Sequence, residues 1–171
     1  MGFFERNRKA LLEKGFNPDR LPPGQYYTER YPELHALPNV DVVVDIHCVT
    51  KWSKFDMKWT GVRVRDVLDR AGVKTNATHI VQHAEYGYTT NTPLGEVLAD
   101  NAMIAWAVDD EPLPAEHGGP VRMVIPRLYF WKSAKWLRGL ELLDHDAPGF
   151  WEQNGYHNVG DPWLEQRYWG D

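Results

Sequence analysis

The sequence predicts one domain of the α+β class, built from mixed β-sheets and short helices. Strand-like and helical segments follow one another without the regular strand–helix–strand alternation that builds parallel sheets. The 171 residues, 43% of them hydrophobic, suffice for a single core. Aromatic residues make up 13% of the chain, and such large flat side chains favour an aromatic core or an aromatic ligand pocket.

Residues 1–36 are predicted to form a peripheral segment, and residues 37–171 are predicted to form the domain itself. In the first segment an amphipathic helix is expected over Phe4–Lys14, because the apolar spacing is helical and Gly15 ends it. The prolines of Arg20–Tyr27 then favour an extended arm.

The domain is expected to begin with a strand at Val40–Ile46, which is apolar enough to be buried on both faces. The apolar spacing of Gly61–Gly72 predicts a short helix closed by its final glycine. Thr92-Pro93 predicts the start of another helix, with threonine as cap and proline in the first turn, running to about Ala99. Further strands are predicted at Ala77–His83, Met103–Val108, Val121–Ile125 and Trp136–Leu143.

Two segments are predicted to lack helices and strands. Asp109–Pro114 contains turn-forming acids and two prolines, which favour a turn and a rigid loop. From Pro148 onward, glycine, proline and aromatic residues alternate without a helical or strand period. We therefore expect this tail to wrap the surface without regular structure.

Charge and composition argue against several classes of function. A formal net charge of −5 disfavours a protein that binds nucleic acid through a general basic field. No apolar run approaches the ~20 residues of a membrane helix, and the first residues are too charged for a secretory signal. A single cysteine can form no internal disulfide, and a free thiol persists best where it is kept reduced. We therefore expect a cytoplasmic protein.

Cys48, the only cysteine, lies where the first predicted strand ends. A free cysteine most often behaves as a small buried hydrophobe without chemistry. The alternative is a reactive or metal-binding thiolate beside His47. Position alone favours the packing interpretation, and the rest of the chain has to decide between the two.

Between Glu116 and Glu141 the chain has no acidic residue, although it contains five basic ones: Arg122, Arg127, Lys132, Lys135 and Arg138. Most runs of basic residues are solvated faces. Here the basic residues alternate with aromatic ones, so several should lie at a partly apolar surface. An oxyanion such as phosphate would gain charge-assisted hydrogen bonds there. The missing carboxylates therefore favour an anion site.

His79 and His83 have the spacing of a metal pair on a helix, but their surroundings predict a strand. Four residues along a strand place two rings on one face about 13 Å apart. They cannot then share one metal ion, so zinc is not expected here.

Three stretches between Leu37 and Leu143 form a set whose order is distinctive: Cys48–Ser53, Tyr88–Leu94, and Pro112–Pro126 followed by Phe130–Trp136. Taken together they resemble the molybdopterin-binding domain of the sulfite oxidase family of oxidoreductases. The first resembles the segment of the metal-binding thiolate, and the second resembles the tyrosine-to-proline turn on the substrate side of the metal. The third resembles the segment that wraps the pterin. The resemblance implies a sulfite-oxidase-type molybdopterin-binding fold.

The resemblance also implies a molybdenum–molybdopterin cofactor and oxygen-atom transfer on a small substrate of the sulfur-oxide or nitrogen-oxide type. Cys48 would ligate the metal, since a soft thiolate suits a sulfur-rich centre. Tyr88 would stand near the oxo group as a hydrogen-bond donor or proton relay. The residues implied to contact the cofactor are His117, Arg122, Lys132, Ser133 and Lys135, of which the arginine and both lysines would neutralise its phosphate.

The chain departs from the family pattern in ways that bear on substrate and partner. Sulfite oxidisers place an arginine five residues beyond the ligand cysteine, and here that position is Ser53. The pattern Cys-Val-x-x-Trp-Ser is instead similar to the branch with bacterial methionine-sulfoxide reductases and soluble relatives. Sulfite is therefore not the expected substrate. Without a haem-binding domain, electrons are expected to pass to or from a separate partner protein.

Two alternatives remain open from the sequence. Tyr31–Pro38 joins the arm to the first strand directly, where family members have an additional segment. This difference motivates a first alternative, ranked behind the molybdenum enzyme: a metal-free pterin- or nucleotide-binding protein that keeps the fold without catalysis. A metal-free thiol enzyme would instead use Cys48 with His47 or His83 as its base.

Overall fold

The computed structural model describes residues 32–171 together with Lys9, Leu12, Glu13 and Asn17. The chain divides into two compact units between residues 36 and 37. In the first unit, Lys9, Leu12 and Glu13 are helical, and a one-turn helix, α1, covers Pro32–His35. The rest of the helix predicted over Phe4–Lys14 and the arm predicted over Arg20–Tyr27 lie outside the described residues.

The second unit has the predicted α+β architecture, with two antiparallel sheets and short helices. Its strands are β1 (Val40–His47), β2 (Ser53–Arg63), β3 (His79–Ala84), β4 (Thr89–Pro93), β5 (Met103–Val108), β6 (Glu111–Pro112), β7 (Arg122–Val124) and β8 (Leu137–Leu143). Its helices are α2 (Val64–Ala71), α3 (Leu94–Val97) and α4 (Phe150–Gln153). The larger sheet has the order β1-β2-β5-β6, with β7 also paired to β5, and the smaller has the order β4-β3-β8.

The hydrophobic core lies against the larger sheet, where β2 pairs with β5. Trp59 and Met103 are 2% and 0% exposed there, and Ile46 and Val124 pack in the same cluster. Gly61 permits the close approach of the two strands, because a Cβ at this position would lie 2.0 Å from the carbonyl oxygen of Ile104. The central strands are thus fixed by packing, and they hold the β1–β2 turn at the edge of the sheet.

The strands predicted at residues 40–46, 77–83, 103–108, 121–125 and 136–143 are confirmed as β1, β3, β5, β7 and β8. The burial predicted for β1 is wrong, because this strand is an edge of the larger sheet and alternates between packed and solvated residues. Val43 on its outer face is 59% exposed. The second strand of the hairpin, β2, was not predicted at all.

The predicted helices are shorter than expected. The helix over residues 61–72 begins at Val64, because the preceding residues remain paired in β2, and the Gly72 amide closes it by donating to the Leu68 carbonyl at 2.9 Å. Thr92 is not a cap: it pairs with Ile80 inside β4, and only one helical turn follows Pro93.

The tail departs from its prediction as well, since it contains α4 and an antiparallel bridge between Tyr156 and Tyr168. The turn predicted after Val108 does form, and the short strand β6 follows it. Among the described residues, no helix is long and apolar enough to cross a membrane.

Candidate functional site

Cys48 occupies the turn between β1 and β2, where the sequence places it. The turn is closed by two backbone hydrogen bonds: the Cys48 amide donates to the Trp52 carbonyl at 2.9 Å, and the Lys51 amide donates to the Cys48 carbonyl at 3.0 Å. The thiol is partly buried, and its sulfur lies 3.0 Å from the Thr50 hydroxyl oxygen. The sulfur is therefore held at the end of the sheet and remains accessible.

A pocket of about 540 Å³ opens beside this turn, and six of the seven predicted site residues line it. They are Cys48, Tyr88, His117, Arg122, Ser133 and Lys135. Aromatic side chains form much of the remaining wall, including Trp52, Phe130, Trp131 and Trp136. The fold thus brings residues from four separated stretches of the chain to one cavity.

Arg122 is the buried cation of this larger pocket, with 3% of its surface exposed. Its guanidinium donates to the backbone carbonyls of His117, Ser133 and Met123 at 2.8, 3.0 and 3.2 Å. It also lies 4.1 Å from the centre of the Phe130 ring. Burial lowers the pKa of Arg122 to about 9, so the side chain stays charged at neutral pH.

The five basic residues of the acid-free segment fall into two groups, according to whether they pair with a carboxylate. Three pair with carboxylates from distant parts of the chain: Arg127 with Glu96, Lys132 with Glu152, and Arg138 with Glu85. Within residues 32–171, Arg122 and Lys135 make no such pair, and both line the larger pocket. A charged group removed from water without a counter-charge is suited to an anionic ligand.

Lys132, predicted to contact the cofactor phosphate, does not line the larger pocket. Its side chain is 0% exposed, and its Nζ lies 2.6 Å from Glu152 Oε1. The same nitrogen donates to the Asn91 carbonyl and side-chain oxygens at 2.9 and 3.0 Å, and to the Asn158 carbonyl at 2.6 Å. All of its donors are thus used inside the fold.

Lys135 and His117 form the exposed rim of the larger pocket. The Lys135 ammonium donates to the Glu116 carbonyl at 3.0 Å, and burial together with the charge of Arg122 lowers its pKa. Gly118, next to His117, has φ +105°, and a Cβ there would lie 2.8 Å from the Lys135 Cβ. The Gly-Gly-Pro turn therefore packs against the chain that carries Lys135.

Ser133 is buried, and its groups are largely engaged within the protein. Its hydroxyl oxygen accepts from the Ile125 amide at 2.9 Å, and its own amide donates to the Phe130 carbonyl at 3.2 Å. The next amide, of Ala134, donates to the Gln82 side chain at 3.0 Å. Both amides thus have hydrogen-bond partners within the protein. Ser133 contributes to the pocket wall.

Gln82, which the sequence analysis missed, connects the small sheet to this loop. It is fully buried in β3, and its amide nitrogen donates to the Lys132 carbonyl at 2.7 Å and to the Thr92 hydroxyl at 3.1 Å. A polar residue in a buried strand was the available signal, because such a side chain needs partners. Gln82 fixes the loop that carries the predicted site residues Ser133 and Lys135.

Tyr88 lines the larger pocket, but its hydroxyl is already engaged. It donates to the Trp131 carbonyl at 2.7 Å, and burial, with the nearby charge of Glu152, raises the pKa of Tyr88 well above its usual value. The phenol therefore stays protonated at neutral pH. Its oxygen can accept a hydrogen bond from a ligand, whereas its proton is held by the backbone.

A second, smaller pocket of about 250 Å³ meets the larger pocket at the Cys48 turn. Cys48 and Trp52 line both pockets. The remaining wall of the smaller pocket comes partly from the tail, through Trp163 and Arg167, neither of which the sequence analysis identified. Arg167 reaches back to the turn and donates to the Val49 carbonyl at 2.9 Å. The tail is therefore part of the site.

The geometry disfavours a thiol–histidine pair. The His47 Nδ1 atom lies 2.8 Å from the Ser53 hydroxyl, and the His83 Nε2 atom lies 2.9 Å from a Glu141 carboxylate oxygen. Within the described part of the chain, no hydrogen bond joins either ring to the Cys48 sulfur. The described residues also contain no cluster of three or more histidine, cysteine or acidic side chains that could hold a metal by themselves. A metal at Cys48 would need ligands from a cofactor.

The family model of the oxidoreductase molybdopterin-binding domain matches residues 25–151. The chain is 51% identical over 141 residues to the uncharacterized oxidoreductase YuiH of Bacillus subtilis (strain 168), a match that covers 82% of this chain and 71% of that protein. It is 27% identical over 146 residues to the protein-methionine-sulfoxide reductase catalytic subunit MsrP of Gluconobacter oxydans (strain 621H), covering 72% of this chain and 46% of that protein.

Among solved structures, the sulfane dehydrogenase SoxCD from Paracoccus pantotrophus is similar in fold, with a TM-score of 0.63. The sequence identity is 20%, and the match covers 85% of this chain and 41% of that chain. This chain thus spans less than half the length of both SoxCD and MsrP over the matched regions.

Proposed function

This chain belongs to the oxidoreductase molybdopterin-binding domain family, and on that premise we propose that it transfers an oxygen atom at a molybdenum centre. The proposed substrate is a small oxide of sulfur or nitrogen. The larger pocket carries the proposal, because it joins one accessible thiol to a buried arginine that pairs with no carboxylate among the described residues. This donor set fits a cofactor that presents a soft metal at one end and a phosphate at the other.

Each pocket residue has a role that follows from its contacts. Cys48 would hold the metal, since its sulfur is fixed by the turn and exposed to the pocket. Arg122 and Lys135 would bind the phosphate, because both cations face the pocket and form no ion pair within residues 32–171. The aromatic wall would enclose the pterin and exclude water from it. When bound, the cofactor supplies a molybdenum centre that can change its oxidation state by two electrons.

Tyr88 would position the ligand rather than relay a proton. Its own proton is committed to the Trp131 carbonyl, and its raised pKa keeps the phenol neutral. A phenol oxygen can accept hydrogen bonds as well as donate one, and the Tyr88 ring forms part of the pocket wall. The protein residues thus bind and orient, while the redox change belongs to the cofactor.

In the reducing direction, the proposed reaction converts one organic sulfoxide, two protons and two electrons into one thioether and one water molecule. The sulfur–oxygen bond breaks, the sulfur is reduced, and the oxygen leaves as water. The two electrons would come from a separate electron-transfer partner that donates them one at a time. A low-potential viologen dye can replace this partner in an assay.

Metal and pterin analysis tests the proposal directly. The chain should be purified from a host that makes the cofactor and should contain molybdenum in stoichiometric amount, with a fluorescent pterin after oxidation. Reduced viologen should be consumed when methyl phenyl sulfoxide is added. The metal-free alternative predicts bound pterin or nucleotide without molybdenum and without this activity.

The Cys48→Ser variant is the matched test of the metal ligand. It should abolish sulfoxide reduction and leave most of the pterin bound, because the cations that hold the phosphate lie elsewhere in the pocket. The variant should also unfold at the same denaturant concentration as the parent chain. Normal turnover by this variant would show that the assignment of Cys48 is wrong.

A further inference from the structure

The hydroxyl group of Thr50 lies beside the sulfur that would hold the metal. Its oxygen is 3.0 Å from the Cys48 sulfur, and this is the only hydrogen bond of the Thr50 side chain among the described residues. While the sulfur is a thiol, either atom can donate the proton of this bond. The geometry thus establishes the contact, and its direction depends on whether the sulfur carries a proton.

The backbone of the hairpin loop brings this hydroxyl to the sulfur. Residues 49–51 form a three-residue loop, which the Cys48 amide closes by donating to the Trp52 carbonyl at 2.9 Å. Lys51 has φ +72°, the left-handed conformation that the last residue of such a loop commonly adopts. The chain therefore reverses within three residues, and the side chain of Thr50 reaches back to the residue that precedes the loop.

Two further features hold the hydroxyl in place. Val49 is 9% exposed, and its carbonyl accepts a hydrogen bond from Arg167 of the tail at 2.9 Å. Threonine is branched at Cβ, so the Thr50 side chain has few accessible rotamers. The distance between the hydroxyl and the sulfur is thus set by the loop and not by a mobile side chain.

Thr50 approaches the sulfur from the loop and not from within a cavity. Cys48 lines both pockets, whereas Thr50 lines neither of them. A metal that binds the sulfur from the larger pocket therefore does not need the space that the Thr50 hydroxyl occupies. For the same reason, a substitution at Thr50 leaves the walls of both pockets intact.

Coordination of a metal would fix the direction of this hydrogen bond. A thiol loses its proton when it binds a metal ion. A thiolate can only accept, so the Thr50 hydroxyl must then donate to the Cys48 sulfur. A hydrogen bond to an ionised acceptor is roughly twice as strong as one between neutral groups. The contact is therefore stronger with the cofactor bound than without it.

Hydrogen bonds to a metal-bound sulfur change the reduction potential of the metal. An electron that enters the centre adds negative charge, part of which falls on the ligand sulfur, so a donor at the sulfur stabilises the reduced state more than the oxidised one. We propose that Thr50 is a positioning residue whose hydroxyl donates to the Cys48 thiolate and raises the reduction potential of the bound molybdenum. This assignment rests on the proposed function, because it requires a metal at Cys48.

The variants Thr50→Val and Thr50→Ser test this role in the cofactor-loaded chain. Valine keeps the shape of threonine without the donor, and serine keeps the donor. Thr50→Val should shift the one-electron reduction equilibrium of the metal about five- to tenfold toward the oxidised form. This shift corresponds to a midpoint potential about 40–60 mV lower. A redox titration followed by electron paramagnetic resonance measures it, and Thr50→Ser should recover more than half of the loss.

Ser53→Ala is the matched control. It removes another hydroxyl from the same hairpin, one that lies 2.8 Å from His47 Nδ1. It should change the reduction equilibrium by less than about twofold. Thr50 and Ser53 are both exposed, so all three variants should keep the molybdenum and pterin contents of the parent chain and unfold at the same urea concentration.

An infrared measurement tests the hydrogen bond without any metal. Cys48 is the only cysteine, so the cofactor-free chain has a single S–H stretching band. Thr50→Val should shift this band, because the frequency of an S–H stretch responds to hydrogen bonding at the sulfur. Thr50→Ser should return the band toward its position in the parent chain.

The two measurements separate the possible failures. An S–H band that is unchanged in Thr50→Val would show that the hydrogen bond does not form. A midpoint potential that is unchanged in Thr50→Val, equally lowered in Ser53→Ala, or not recovered in Thr50→Ser would overturn the assignment, and the proposed function would stand if sulfoxide is still reduced. If the loaded chain contains no molybdenum, the proposed function fails and the role of Thr50 at the metal fails with it, while the infrared band still decides the hydrogen bond.

Discussion

Replacing Lys132 by methionine should destabilise the folded chain by about 3–5 kcal/mol, because the Glu152 carboxylate would be left buried without its cation. The two side chains are 0% and 1% exposed, so neither can turn to water. Glu152 would keep hydrogen bonds from Thr90 and Trp131 at 3.0 and 2.9 Å but would lose its counter-charge. The oxygens of Asn91 and Asn158 would lose the donor that Lys132 provides. The second carboxylate oxygen of Glu152 has no hydrogen-bond partner in the described structure, so no further contact would stabilise the unpaired charge.

Urea and thermal unfolding of the cofactor-free chain measure this effect without any contribution from ligand binding. For a chain of this length the expected loss lowers the thermal midpoint by roughly 6–20 °C. Lys135→Met is the matched control, because this lysine is exposed at the pocket rim and makes no ion pair among the described residues. It should change stability by less than about 0.5 kcal/mol and reduce pterin retention instead.

The double variant K132M/E152M should recover only part of the stability, because it removes the unpaired charge but leaves the Thr90 hydroxyl and the Trp131 indole without their acceptor. The reasoning fails if the cofactor-free K132M chain is as stable as the Lys135→Met control but loses pterin. That result would return Lys132 to the role of a phosphate ligand.

Three further substitutions probe other contacts. Arg122→Gln should lower the pterin retained on gel filtration by about tenfold, because it removes the buried charge, and pterin fluorescence measures the loss. Gln82→Met should cost about 2–4 kcal/mol in urea unfolding, because it leaves the Ala134 amide and the Lys132 carbonyl unpaired. Gly160→Ala should cost at least about 1–2 kcal/mol in thermal unfolding, because φ is +80° and its Cβ would lie 2.8 Å from the Trp131 ring.

The sequence predicts well what local pattern and chain order decide. Apolar runs locate β1, β3, β5, β7 and β8, and the end of β1 places Cys48 in a turn. Six of the seven predicted site residues then meet at one pocket, because they belong to segments whose order was recognisable. The helix cap predicted at Thr92 is wrong, and it shows the limit of such patterns. A threonine before a proline resembles a cap, but pairing with Ile80 in the neighbouring strand decides its conformation.

Pairing between distant residues decides the rest of the site, and a local pattern does not contain it. Lys132 and Arg122 lie in the same acid-free segment, yet one meets Glu152 from the tail and the other meets no carboxylate among the described residues. The tail was expected to wrap the surface without regular structure, because its local sequence does not show which distant residues it contacts. Its contribution becomes visible only when Arg167 is seen to reach the turn that carries Cys48.

The position of Glu152 along the chain also constrains when the site can form. Ribosomal synthesis proceeds toward the C-terminus, so every strand and Lys132 itself are made before this carboxylate. Until Glu152 has been made, the Lys132 ammonium lacks the carboxylate with which it is buried. The same carboxylate accepts the hydrogen bond that holds the Trp131 indole. Cofactor insertion is therefore expected to follow synthesis of the polypeptide rather than accompany it.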